Sequence, residues 1–114
     1  MKRFVLFIGL LLIGVTSFAQ NNGRIAGKIV DQESKDPVAQ ANVRILQQRD
    51  SVYINGVATN NEGNFSISLP YGSYIVHVTY VGHTDFFRNV VLSNSNANAN
   101  LGTAELGTDN ILLD

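Results

Sequence analysis

The chain has 114 residues, 45% of them hydrophobic and 15% charged, with a formal net charge of −1 and no cysteine. That length allows one small core, and the charge balance offers no basic patch for nucleic acid or anionic lipid. A small fold without cysteine must hold by packing alone rather than by disulfides.

Lys2 and Arg3 precede an apolar run from Phe4 to Val15, followed by Thr16-Ser17-Phe18-Ala19. A charged start, an apolar stretch too short to span a bilayer and small residues at positions 17 and 19 form the pattern of a secretory signal peptide, cleaved between Ala19 and Gln20. Three parts are expected: a signal peptide over 1–19, a folded domain over 20–106 and a tail over 107–114. Two of the eight basic residues lie in the leader, so the exported chain sets six cations against nine acids, a formal charge of −3. With no cysteine at the cleavage site, no lipid anchor is expected. Export without lipid or disulfide suits the periplasm of a Gram-negative bacterium, or the periplasmic face of its outer membrane.

From Gly23 to Val30, Ile25, Gly27 and Ile29 alternate with Arg24, Ala26 and Lys28, which predicts a first strand where Gly27 admits a close neighbour. The polar loop from Asp31 to Asp36 ends at Pro37, and Val38, Ala41, Val43 and Ile45 lead into a second strand from Asn42 to Gln48. A weaker third strand covers Tyr53 to Thr59 around Asn55-Gly56, and a turn follows over Asn60 to Gly63, with Gly63 supplying a positive φ. Phe65, Ile67 and Leu69 then recur at every second residue, and after Pro70-Tyr71-Gly72-Ser73 the series resumes at Tyr74, Val76, Val78 and Tyr80. This spacing predicts two half-buried strands joined by a tight turn. A sixth strand runs through Phe86, Phe87, Val90, Val91 and Leu92. Ser93 to Asn100 reads as a polar connector outside the core, and Leu101 to Leu106 as a last strand. With no helical period outside the leader, some seven short strands separated by turn signals predict an all-β sandwich.

Four pieces of this pattern stand out together: Gly27-x-Ile29-x-Asp31, Pro37-Val38-x-x-Ala41-x-Val43, Thr59-x-x-x-Gly63-x-Phe65, and Tyr74-x-Val76-x-Val78-x-Tyr80-x-Gly82. In this order and spacing they resemble the carboxypeptidase regulatory-like domain, a seven-stranded, transthyretin-like β-sandwich related to carbohydrate-binding folds. The residues suit structural roles. Asp31 caps a turn, Pro37 stiffens the crossing to the second strand, Ala41 is small where the chain enters the core, and Gly63 permits a hairpin turn before Phe65. Tyr74 and Tyr80 bring rings to the core with hydroxyls at its rim. A signal peptide followed at once by such a domain is similar to the start of Bacteroidota-type TonB-dependent outer-membrane receptors, where the domain precedes the plug. Here Ile111-Leu112-Leu113-Asp114 occupies the run-up to the energy-coupling segment. The resemblance therefore implies a fragment or truncated relative of a receptor, or a free-standing exported module. It brings no peptidase activity, because the zinc site of carboxypeptidases belongs to a separate catalytic domain.

His77 and His83 are the only imidazoles, and their spacing matches no common zinc pattern. His77 alternates out of phase with Tyr74, Val76 and Val78, which points it toward solvent or the rim. Asp31, Glu33 and Asp36 lack the glycine and spacing of a calcium loop, so a solvated turn is the better reading, as it is for Asn60, Asn61, Glu62 and Asn64. Neither a nucleophile elbow nor a phosphate loop is present. No catalytic residue, cofactor or metal is expected. Tyr53, Tyr71, Phe86 and Phe87 are candidate surface aromatics for stacking on sugar rings, and since Phe86 and Phe87 are adjacent, one must face away from the core. Two functions are expected in turn. The first is a non-enzymatic interaction or accessory domain with a protein partner in the cell envelope, an outer-membrane receptor or the TonB system. The second is a free-standing module that binds glycan.

Overall fold

Alternation at period two is what the computed structural model turns into strands over the residues it describes, 22–108. The leader, its Ala19-Gln20 junction and residues 109–114 lie outside the described residues. In chain order the strands are β1 (Asn22–Asp31), β2 (Asn42–Gln47), β3 (Tyr53–Ala58), β4 (Asn64–Pro70), β5 (Gly72–Thr79), β6 (Phe86–Leu92) and β7 (Asn98–Leu106). They build two sheets, β4-β1-β7 and β3-β2-β5-β6, and the described residues contain no helix. The chain is an all-β sandwich.

The core lies between the inner faces of the two sheets. One side supplies Ile25, Ile29, Phe65, Ile67, Leu69, Ala104 and Leu106, and the other Val43, Ile45, Tyr74, Val76, Val78, Val90 and Leu92. Ile25, Val43, Ile45, Val76 and Val78 are wholly shielded from solvent, as two pleated sheets packed face to face require. Gly27 is needed for close approach: a Cβ there would lie 2.9 Å from Cε1 of Phe65.

The expected tight turn between β4 and β5 is present, but it does not make a hairpin. The two strands do not pair. β4 lies beside β1 in the three-stranded sheet, β5 between β2 and β6 in the other, and Pro70 to Gly72 carries the chain across the core. β3 and β4 are split between the sheets in the same way, so the Asn60 to Gly63 turn, expected as a hairpin, is corrected to a crossing. Alternation looks identical in strands that pair edge to edge and in strands that face each other across a core, because either way every second side chain is buried. At the β4 to β5 corner the Tyr74 hydroxyl donates to the Pro70 carbonyl at 2.6 Å and so fixes the bend. Burial raises the pKa of that phenol.

Thr59, just after β3, is the buried polar residue among this apolar packing. Its Oγ1 accepts from the Ala41 amide at 2.9 Å and donates to the Val38 carbonyl at 2.6 Å. Its backbone amide donates to Ala41 O, and its carbonyl accepts from the Gln40 amide. The β1 to β2 crossing and the β3 to β4 crossing are thereby stapled side by side. Gly63 follows at φ 78°, where a Cβ would collide with the Ile29 carbonyl.

The polar connector is shorter than expected. Ser93 and Asn96 close a turn, and Asn98 to Asn100 already belong to β7, pairing parallel with Arg24 to Ala26 while Ala99 packs against the core. Pairing to β1 overrides the polarity of alternate asparagines, since their side chains point outward. A bulge then sets Leu101 and Gly102 of β7 against Gly27 of β1, between the pairs made by Ala26 and Lys28. Gly102 takes a φ of 69° there, its amide bonded to the Asn100 side chain. The extra residue reverses the parity of β7, so that Leu101 and Ala104 both face inward.

Two substitutions test this account by thermal or denaturant unfolding. Phe65→Ala should cost about 3–5 kcal/mol, since it removes a ring from a small core. A stability unchanged within error would mean that Phe65 does not fill that core. Thr59→Val keeps the shape but orphans the buried Ala41 amide and Val38 carbonyl, and should cost about 2–4 kcal/mol. Thr59→Ser should lose only about 1 kcal/mol for the methyl group, and equal losses in the two variants would refute the staple.

Candidate functional site

The pleat that fills the core also sets which side chains reach the outer face of the four-stranded sheet. On β2 these are Asn42, Arg44 and Leu46, on β5 Ile75, His77 and Thr79, and on β6 Phe87, Asn89 and Val91. The register places Arg44 opposite Gly56 of β3 and His77 of β5, and His77 opposite Phe87 of β6. One line of side chains therefore crosses all four strands.

Gly56 gives this line its first member. A Cβ at position 56 would lie 2.9 Å from the Tyr53 hydroxyl oxygen and 3.0 Å from the Val43 carbonyl, so bare backbone leaves room for the tyrosine ring on the sheet surface. The Arg44 guanidinium carbon sits 5.5 Å from the centroid of that ring, within cation–π range. On its other side Arg44 Nη1 donates to Nδ1 of His77 at 3.3 Å. A guanidinium can only donate, so the imidazole carries its proton on Nε2 and gives it to Asp85 Oδ2 at 2.9 Å. The imidazole stacks on Phe87 with ring centroids 4.3 Å apart and planes 5° from parallel.

His77 thus lies on the outer face, as its alternation predicts, but it is not solvent-facing. Only 12% of its side chain is exposed, because Arg44 and Phe87 cover it. Tyr53 and Phe87 remain 54% and 59% exposed, and Val91, four residues further along β6, is 52% exposed. Leu46 is buried on this same face, between Tyr53 and Ile75 in register. Of the four aromatics grouped from sequence, the structure brings Tyr53 and Phe87 to this line and directs Tyr71 and Phe86 against the core. The Arg88 guanidinium lies over the Phe86 ring. Arg44, Gly56 and Asp85 were not legible as site residues, since nothing in their spacing reveals which strands lie side by side.

A second cluster gathers at the end of the sandwich where β7 finishes. Asp31 Oδ2 accepts from the amides of Glu33 and Ser34 at 3.0 and 2.8 Å, the expected turn cap. Its Oδ1 meets Nε2 of His83 at 2.7 Å, and Nδ1 of His83 meets the Val81 carbonyl at 3.1 Å. Both ring nitrogens face acceptors, an arrangement that only the protonated imidazolium satisfies. The Val81 carbonyl, and after it the Asp31 carboxylate, hold the pKa of His83 above its ordinary value. The Ser34 amide, and next His83, bring Asp31 down to about 2. Tyr80 packs its ring on His83, and Gly82 turns the chain at φ 75°. Thr84 donates to Gly107 O and Gln32 to Leu106 O, while Thr108 bridges to His83, so the first two tail residues are docked. Among the described residues, no group of three or more histidines and acids converges as a metal site would require.

The family described as CarboxypepD_reg-like domain matches residues 25–113. No curated protein matches the chain in sequence. Among solved structures, the major pilin subunit BcpA of Bacillus cereus is similar at 17% identity and a TM-score of 0.63, over 78% of this chain and 31% of the pilin. The 5-hydroxyisourate hydrolase of Klebsiella pneumoniae aligns at 15% identity and a TM-score of 0.57, over 76% of this chain and 92% of the hydrolase. The 3-chlorocatechol 1,2-dioxygenase of Rhodococcus opacus aligns at 10% identity and a TM-score of 0.60, over 82% of this chain and 62% of the enzyme. At these identities the likeness is one of fold. The chain spans about a third of the length of the pilin it matches.

The Asp31–His83 pair predicts a pH dependence with a definite sign. The folded pKa of His83 is raised, so its contribution is complete below the ordinary value of 6.5 and is lost as pH rises through the higher folded value. The folded pKa of Asp31 is depressed, so its contribution is complete above 3.8 and is lost as pH falls through about 2. Thermal melts across roughly pH 4 to 9 should give a plateau that declines on the alkaline side, and His83→Gln should flatten that decline. An identical alkaline slope in the variant would show that the pair is not coupled to folding.

Proposed function

Because the chain belongs to the CarboxypepD_reg-like domain family, we propose that it is a non-enzymatic interaction module of the bacterial envelope, working through the outer face of its four-stranded sheet. The observation that carries this reading is the Tyr53, Arg44, His77, Phe87 line. Here a small domain exposes Tyr53 and Phe87 at the two ends of a row that holds an ordered cation, where an ordinary solvated sheet face presents scattered polar residues. A pilin subunit is by name a component of an assembly, and the likeness of fold to BcpA is compatible with such a role. The leader pattern of residues 1–19 supports export to the periplasm. The resemblance of the motif order to the front of TonB-dependent receptors supports an outer-membrane receptor or its TonB system as the partner.

A second reading, a glycan-binding module, draws on the exposed rings of Tyr53 and Phe87, which offer apolar surface for a sugar ring. Calorimetric titration of a broad polysaccharide set distinguishes it: saturable heat that disappears in Phe87→Ala favours glycan, and flat titrations remove the reading.

The interaction reading is tested with a photo-reactive amino acid placed at Phe87 or, as a control on the opposite sheet, at the exposed Ser66. Irradiation of cells should give a discrete adduct with an outer-membrane β-barrel protein or a TonB-system component from position 87 and not from position 66. Equal labelling from both positions, or none from either, would overturn it.

A further inference from the structure

Resting on that interaction reading, we propose that Arg44 is a carboxylate-recognition point, which takes an aspartate or glutamate side chain of a protein partner whose nearby apolar residues pack on Tyr53, Ile75 and Phe87. The guanidinium is held from two sides, by the Tyr53 ring at 5.5 Å and by the His77 imidazole at 3.3 Å. Little rotamer freedom remains to be lost on binding, which favours recognition by a preorganised donor. Only Nη1 is engaged in a hydrogen bond, and no carboxylate of the described residues lies within ion-pair distance. Asp85, the acid of this face, is committed to Nε2 of His77, on the far side of the imidazole from Arg44. Asp50, at the β2 to β3 hairpin end, lies 3.8 Å from Arg49 instead.

A half-buried cation has given up part of its hydration, and only a counter-charge restores it in full. Charge complementarity therefore names the ligand group as an anion, and the planar fork of the guanidinium selects a carboxylate that can accept two parallel bonds. The surroundings name its source. Ile54, the extra residue of the bulge next to Tyr53, exposes aliphatic surface, Val91 does so further along the strand that carries Phe87, and Ile75 shares the outer face. Aliphatic side chains match another protein's side chains better than the hydroxyl-rich edges of an acidic sugar. β3 is moreover an edge strand without a charged residue, so a partner segment in extended form can run beside it and reach this face.

The test uses the full chain and a defined probe, the blocked pentapeptide acetyl-Val-Ser-Glu-Ser-Val-amide, whose valines share a face with the glutamate when extended, with acetyl-Val-Ser-Gln-Ser-Val-amide and a galacturonate trimer as comparisons. NMR resonances of the Arg44 side chain and the Phe87 ring report binding. The glutamate peptide should shift both saturably and bind about tenfold more tightly than the glutamine peptide. Arg44→Gln should abolish that preference. Arg44→Lys, which keeps the charge but loses the fork, should abolish most of it, so the proposal stays testable even if the glutamine variant folds poorly. Equal binding of the two peptides, an undiminished preference in Arg44→Lys, or no saturable shift would overturn the proposal, and tighter binding of the galacturonate trimer would overturn its protein source. Cross-linking from position 87 separates this from the broader reading. An adduct kept at full yield in Arg44→Gln overturns carboxylate recognition alone, whereas its absence in the parent chain overturns the interaction module.

Discussion

A single buried hydroxyl ties together two of the places where this chain changes sheet, the β1 to β2 and the β3 to β4 crossings. Thr59 bonds through Oγ1 to both the Ala41 amide and the Val38 carbonyl, and its own backbone completes the contact with Gln40 and Ala41. Each crossing would otherwise bury backbone groups with no ladder partner, at the cost of their full desolvation. With the crossings joined, β2 and β3 are delivered to one sheet while β1 and β4 pair in the other. The register of the outer face follows from that placement, as does the alignment of Arg44 with Gly56 and His77.

The outer face shows how little chemistry a sheet needs in order to organise a surface. Gly56 contributes by having no side chain, since the space it leaves lets Tyr53 lie over the sheet and cover one side of Arg44. His77 contributes through its tautomer: accepting from Arg44 obliges it to donate to Asp85, which ties up the acid of that face. Phe87 shields the imidazole by stacking. The result is an ordered cation among exposed apolar groups. The family match and the shared fold concern the scaffold alone, so a role has to be argued from the surface that the scaffold carries.

Much of the scaffold is legible in the sequence for local reasons. Asp31 announces a turn cap because its carboxylate reaches the amides of Glu33 and Ser34 within its own loop. Gly63 announces a positive φ because the turn before Phe65 needs one. The inward sets of β4 and β5 are readable because period two is a property of a single strand. The departures are non-local. Turn chemistry alone reads Asn60 to Gly63 as a hairpin, and composition excludes the asparagines at 98 and 100 from a strand that β1 recruits. Thr59 has a place in the motif, but its staple becomes visible only once Val38 and Ala41 lie beside it.

Periodicity and turn chemistry, which operate within a few residues, are enough to settle the class of fold, the number of strands and which residues in most of them turn inward. They leave open which strands pair, where the parity of β7 reverses and which outward residues meet, and these are outcomes of the folded packing. Each depends on contacts between positions far apart in the chain: Arg44 and His77 are 33 residues apart in sequence, and Asp31 and His83 are 52. No spacing rule connects them, and only the packing of two sheets over one core brings them within hydrogen-bonding distance.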